Sequence, residues 1–191
     1  MGDPAIADAP GPSGFSRARF RTRADLFAQA NRAATPLLIR AALEALGEAA
    51  GGRVLELFCG SGTFTLPLLA RGAEVVGVEA AAASLALLRK SAGEAGLDAR
   101  LRLIAGDAGR AAEGAFDAVL LDPPRTGAAQ AIPALAALRP ARIVYLSCDA
   151  PTFARDARAL CKSGYRIDGV VPFDLFPQTA HLELVASFAA R

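Results

Sequence analysis

Arg142-Ile143-Val144-Tyr145-Leu146-Ser147-Cys148-Asp149 is the stretch whose reading decides the fold. It begins as an apolar, β-branched run, the pattern of a strand buried on both faces of a parallel sheet. It breaks off in small and polar residues, with Pro151 soon after. Cys148 thus stands at the carboxyl end of a central strand, the edge where open α/β sheets bind ligands. Two readings of it stand side by side: a thiolate nucleophile, or a small buried hydrophobe, as free cysteines often are.

Outward from this stretch, strands and helices alternate. Toward the N-terminus, strands are expected at 53–58, 74–79, about 100–104 and 115–121, with helices at about 36–50, 64–70, 81–93 and 128–138. Toward the C-terminus, a helix over about 151–162 precedes strands at about 165–173 and 182–188. This alternation predicts a mainly parallel, seven-stranded sheet covered on both faces. The last two strands lack a helix between them, so they are expected to pair as an antiparallel hairpin. Residues 1–14 are rich in Pro, Gly and Ala and read as a disordered, linker-like lead. Arg17, Arg19, Arg21 and Arg23 alternate like one face of a short basic strand, either a solvated edge or a phosphate-contacting ribbon. The expected division is a lead over 1–22 and one catalytic domain over 23–191.

Composition narrows the function classes. A net charge of +2 neither demands nor excludes a nucleic-acid partner. Cys59, Cys148 and Cys161 are an odd set without metal-ligand spacing, which argues against disulfides and zinc and fits the cytoplasm. No apolar run approaches the ~18 residues of a membrane span, and the N-terminus lacks a signal-peptide layout.

The strand ends carry the chemistry. Leu55-Glu56-Leu57-Phe58-Cys59-Gly60-Ser61-Gly62-Thr63-Phe64 is a strand, a glycine turn and a helix start. Gly60 and Gly62 let a ligand approach the backbone. Thr65 replaces the third glycine of a dinucleotide fingerprint, and a P-loop lysine is absent. Glu79 ends the next strand, where an acid can accept both hydroxyls of a ribose. Asp107 could accept from an adenine amino group; the lesser alternative is that both acids are plain helix caps. Asp122-Pro123-Pro124-Arg125 is a proline-stiffened turn. Its Asp122 could orient a base or cofactor, and its Arg125 could pair with a phosphate or carboxylate. Glu183 is an acid inside an apolar strand, costly to bury unless paired or functional. If its strand runs antiparallel to that of Cys148, the two share one edge. His181, the only histidine, is too solitary for a metal site. Phe176 begins a turn that could lay a ring near the substrate. Together the glycine turn and the acids resemble the S-adenosylmethionine site of class I methyltransferases, with its Rossmann-like fold.

The motifs Phe27-Ala28-Gln29-Ala30-Asn31, LELFCGSGTF, GVE at 77–79, DPPRTG at 122–127, SCDAPTFARD at 147–156 and DLFPQTAHLE at 174–183 occur in this order. From about Arg23 onward the chain resembles the RNA 5-methyluridine methyltransferase family, which acts on uridines of tRNA or ribosomal RNA. The resemblance implies S-adenosylmethionine contacts from Gln29, Phe58, Thr63, Glu79, Asp107 and Asp122. It implies Cys148 as the nucleophile that adds to uridine C6, and Glu183 as the base. Arg125 and Phe176 are the expected substrate contacts, and no metal is expected. The chain departs from the family in having Thr63 where Asn is frequent, and Ala150 between Asp149 and Pro151. Family members carry an RNA-binding β-barrel domain ahead of this region. The match is therefore to the catalytic domain, with RNA binding supplied by a missing or separate domain. The alternatives are a class I methyltransferase acting on another atom, and a non-catalytic cofactor- or RNA-binding module.

Overall fold

The central strands form where mostly apolar runs can be buried on both faces. The computed structural model describes residues 7–10, 19–22, 26, 31, 33–109, 114–175, 179 and 182–191. A short pair comes first, β1 (Ala7–Pro10) and β2 (Arg19–Thr22). Then follow α1 (Thr35–Leu46), β3 (Arg53–Leu57), α2 (Thr65–Ala70), β4 (Glu74–Glu79), α3 (Ala82–Glu94) and β5 (Leu101–Ala105). The second half holds β6 (Ala118–Leu121), α4 (Ile132–Leu138), β7 (Arg142–Ser147), α5 (Ala150–Lys162), β8 (Tyr165–Phe173) and β9 (Glu183–Ala190).

The main sheet has seven strands in the order β5-β4-β3-β6-β7-β9-β8. The first five are mutually parallel, and β9 runs antiparallel to both β7 and β8. The expected α/β fold is therefore the observed one, and β9 inserts between β7 and the edge strand β8. Side-chain alternation splits the core in two. Val54, Val75, Leu120, Val144 and Val185 face α1, α2 and α3. Leu55, Leu57, Val76, Leu121, Tyr145 and Phe188 face α4 and α5. Chain direction across the sheet reverses between β3 and β6, and the crevice beyond that point is where such sheets bind ligands.

Local departures from the expected elements have clear causes. Ala7–Pro10 is a strand rather than part of a disordered lead, with Ala7 opposite Thr22 and Pro10 opposite Arg19. Its sequence lacks alternation, so the pairing comes from the partner backbone. Arg21 of β2 donates to Glu94 at the end of α3 at 2.7 Å. The helix expected from 128 begins only at Ile132, because Ala128–Ala131 is a turn closed by the Ala131 N–H on the Ala128 carbonyl at 2.8 Å. Among the described residues no helix is long and apolar enough to cross a membrane.

Candidate active site

The glycine turn after β3 is built from left-handed backbone. Phe58 has φ 60°, Gly60 53° and Gly62 101°. For Phe58 this region is rare and strained, and it ends β3 abruptly while the ring packs on the α4–α5 side of the core. A Cβ at Gly60 would project into open space, whereas one at Gly62 would collide with the Leu88 side chain. Gly62 thus serves close packing under the turn, and Gly60 keeps its outer face open to a ligand.

Glu79, at the end of β4, braces that turn. One carboxylate oxygen accepts from the Gly60 N–H at 3.1 Å and the other from the Ala81 N–H at 2.8 Å. A carboxylate offers about four acceptor positions, so each oxygen retains capacity for a ligand hydroxyl. Asp107, beyond β5, is exposed and accepts from the Gly109 N–H at 2.7 Å. Thr63 is half-buried within the turn, and Asp122 is half-buried at the end of β6. The fold therefore lines Phe58, Gly60, Gly62, Thr63, Glu79, Asp107 and Asp122 along the carboxyl ends of four strands, β3 to β6.

Beneath them lies an acid to which sequence reading assigned no role. Glu56 is 1% exposed and accepts from the Thr65 hydroxyl at 2.6 Å. Burial pushes its pKa up to about 8; the Thr65 hydrogen bond opposes this, and the nearby Asp122 charge adds to it. A buried carboxyl with a raised pKa binds its proton more tightly in the folded state than in the unfolded chain. Its contribution to stability is then complete below the ordinary carboxyl range and is lost as pH rises toward 8. Glu56→Gln cannot ionise. Urea unfolding curves of the two proteins should diverge in the variant's favour by on the order of 2–4 kcal/mol between pH 5 and pH 8. Parallel pH dependences would contradict this.

The β7–β9 ladder settles the relation between Cys148 and Glu183. Leu146 lies opposite Val185 and Ser147 opposite Leu184. One step further along the same antiparallel register sets Cys148 opposite Glu183, which also pairs with Phe173 of β8. Residues facing each other in this way have Cβ atoms roughly 5 Å apart. Cys148 is half-exposed, and its turn is held by Ser147, whose hydroxyl accepts from the Asp149 N–H at 3.2 Å and donates to the Asp149 carbonyl at 3.0 Å. Asp149 then caps α5, accepting from the Thr152 N–H at 2.9 Å. Partial burial holds the Cys148 thiol above its ordinary pKa; the Glu183 and Asp122 charges push the same way, and Arg125 opposes them. Three charged side chains from two other segments therefore act on the Cys148 thiol: Glu183, Asp122 and Arg125.

The other cysteines differ. Cys59 is buried, and burial pushes its thiol far up; half-buried Cys161 packs against the core at the end of α5. Gln29, Phe176 and His181 lie outside the described residues. Among the described residues no group of three His, Cys, Asp or Glu is gathered as for a metal. Sequence reading also missed Asp156. The available signal was spacing: Phe153, Ala157 and Leu160 form the buried stripe of α5, and Asp156 falls on it.

Comparisons with known proteins agree with this geometry. A family model described as a methyltransferase domain matches residues 54–139, and one described as tRNA (uracil-5-)-methyltransferase matches 109–189. The chain is 47% identical over 169 residues to the 23S rRNA (uracil(1939)-C(5))-methyltransferase RlmD of Alkalilimnicola ehrlichii, covering 85% of this chain and 38% of that protein. With the RlmD of Pseudomonas putida it shares 40% identity over 199 residues, covering 99% of this chain and 44% of that one. The chain thus spans about two fifths of the length of the curated relatives it matches. Among solved structures, the Pyrococcus abyssi tRNA (uracil-54, C5)-methyltransferase with S-adenosyl-L-homocysteine superposes with a TM-score of 0.85 at 29% identity, covering 99% of this chain and 45% of that one. The magnesium protoporphyrin IX methyltransferase of Synechocystis, at 16% identity and TM-score 0.66 over 83% of this chain and 79% of that one, shares the fold alone. The turn after β3, the opposed thiol and carboxylate, and these matches lead to one conclusion: the chain belongs to the RNA 5-methyluridine (uracil-C5) methyltransferase family.

Proposed function

We propose that this domain methylates C5 of a uridine in RNA, using S-adenosylmethionine, through a transient bond between Cys148 and C6. The observation that supports the reading is the β7–β9 register, which pairs Ser147 with Leu184 and, continued by one step, sets Cys148 opposite Glu183 at the carboxyl edge of the sheet. Ribosomal RNA is the favoured substrate, because the relatives at 40–47% identity are named for 23S rRNA and the tRNA-specific structure is 29% identical. A cytoplasmic location follows from that substrate.

The residues present fit the cofactor: an open glycine turn at Gly60, and carboxylates from Glu79, Asp107 and Asp122 at successive strand ends. Gln29, Phe58, Gly60, Gly62, Thr63, Glu79, Asp107 and Asp122 would hold it. When bound, S-adenosylmethionine supplies an electrophilic methyl group on a sulfonium. The chain's own residues do the rest. Uracil C5 is a weak nucleophile, and Cys148, having given up its proton to act as the thiolate, changes that by forming an Sγ–C6 bond that shifts the C5–C6 electron pair onto C5. Covalent addition divides one difficult step into easier ones. Once C5 carries the methyl group, Glu183 accepts the C5 proton. The electrons of that C–H bond rebuild the C5–C6 double bond, and the Cys148 thiolate leaves. Arg125 stabilises the thiolate and, with Phe176, contacts the RNA. A uridine within folded RNA must be flipped out of its stack to reach Cys148.

RNA containing 5-fluorouridine tests the scheme. Fluorine at C5 cannot be removed as a proton, so the adduct should persist as a stoichiometric, heat-stable protein–RNA complex that forms only with cofactor present. Methylation at a ring or exocyclic nitrogen needs no thiol, and such an enzyme would leave no adduct.

A further inference from the structure

Asp156 takes no part in the scheme above, yet its carboxylate is a buried and heavily engaged group beside the site. It is 0% exposed. One oxygen accepts from the Tyr145 hydroxyl at 2.8 Å and from the Ala128 N–H at 2.7 Å; the other accepts from Arg155 Nε at 2.8 Å. Arg155 in turn donates to the Thr126 carbonyl at 2.9 Å. These bonds join three pieces of chain. Tyr145 lies on β7, three residues before Cys148. Asp156 and Arg155 lie on α5, which starts directly after the Cys148 turn. Thr126 and Ala128 flank the end of the loop that follows β6 and carries Asp122 and Arg125.

That loop is tight. The Gly127 N–H bonds the Pro124 carbonyl at 2.8 Å, so Arg125 occupies the first corner of a closed turn. Gly127 has φ 79°, and a Cβ there would lie 2.5 Å from both Asp156 Oδ2 and Arg155 Nη2. The loop thus rests directly on the buried carboxylate, with no room for a side chain between.

We propose that Asp156, with Tyr145 and Arg155, is a positioning group that fixes the Arg125 turn against β7 and thereby sets how reactive the Cys148 thiol is. The idea rests on the functional reading only in taking Cys148 as the reacting group. Arg125 is the cation that opposes burial, Glu183 and Asp122 in setting the thiol's ionisation. Its effect falls with distance and with solvent access, so a loosened turn weakens it. Asp156 itself is held ionised: burial raises its pKa, but the Arg155, Ala128 and Tyr145 donors outweigh that and leave it lowered.

The experiment uses the chain without RNA or cofactor, so its outcome does not depend on whether uridine is methylated. Iodoacetamide alkylation of Cys148 is followed by peptide mass spectrometry against pH, which separates it from Cys59 and Cys161. Arg125→Ala should move the alkylation midpoint upward and slow the pH 7 rate about 3- to 10-fold, as loss of one nearby cation does. Asp156→Asn should reproduce that shift, and the double variant should go no further than either single change, because both remove the same interaction. Tyr145→Phe deletes one donor with little change of shape and should give a smaller shift in the same direction. An unmoved midpoint in Asp156→Asn, or an additive double variant, overturns the proposal. If Asp156→Asn does not fold, Tyr145→Phe decides: an upward shift supports the proposal, and an unchanged profile overturns it.

Discussion

Under the proposed scheme, Cys148→Ala should abolish methyl transfer to uridine, with an expected loss of at least about 10⁴-fold, equivalent to about 5.4 kcal/mol of transition-state stabilisation. The reason is chemical rather than structural. Without sulfur at C6, C5 never gains the electron density that makes it reactive. The substitution removes one atom from a half-exposed position at the end of β7. Stability should change by less than about 1 kcal/mol, because the turn is held by Ser147 and Asp149 rather than by the thiol. The residues expected to hold the cofactor lie at the ends of β3, β4, β5 and β6, so calorimetric affinity for S-adenosylhomocysteine should stay within about twofold of the parent, far below the tenfold that 1.4 kcal/mol would bring. Turnover near the parent rate would end the covalent scheme. Lost turnover together with lost cofactor affinity would mean a damaged fold instead.

Glu183→Gln should stop the reaction at a later point and make the intermediate visible. Glutamine keeps the shape of the side chain opposite Cys148 but is too weak a base to take the C5 proton. General-base losses run about 10²- to 10⁴-fold. Addition does not need that base. Removing a negative charge that faces the thiol lowers the cost of ionising it, since Glu183 is among the groups holding the Cys148 pKa up. Adduct formation should therefore be as fast as in the parent or faster, while its breakdown is slow. A methylated protein–RNA adduct should accumulate with ordinary uridine RNA, seen as a shifted band in a denaturing gel and as the summed mass in a spectrometer. Multiple turnovers without any adduct would show that another group removes the proton.

Much of the fold and site was legible because it is written in local patterns. β7 read as a buried parallel strand from its β-branched run, and the turn at Gly60 and Gly62 from its glycines. The antiparallel pairing of β8 and β9 followed from the missing helix between them. Helix and strand ends were read within a few residues, except where turn geometry intervened, as at Ala128–Ala131. The motif order pointed to the family before any distance was known. Other features left no local trace. Ala7–Pro10 pairs because Arg19–Thr22 is beside it, not because its residues favour a strand. The strained φ of Phe58 follows from how β3 must end, since a lone phenylalanine does not announce it.

The amino-acid sequence by itself determined which residues are chemically able: a thiol, an isolated carboxylate, a glycine turn and acids closing strands. Periodicity and residue type are properties of neighbours in the chain, so reading along it is enough. Only the tertiary structure decided which of them meet. Cys148 comes opposite Glu183 because the β7–β9 register, continued one step, sets it there, and the Arg125 charge acts on the thiol from a turn seated on buried Asp156. Electrostatic and hydrogen-bond energies depend on distances through space, and the fold sets those distances between segments that are remote in the chain.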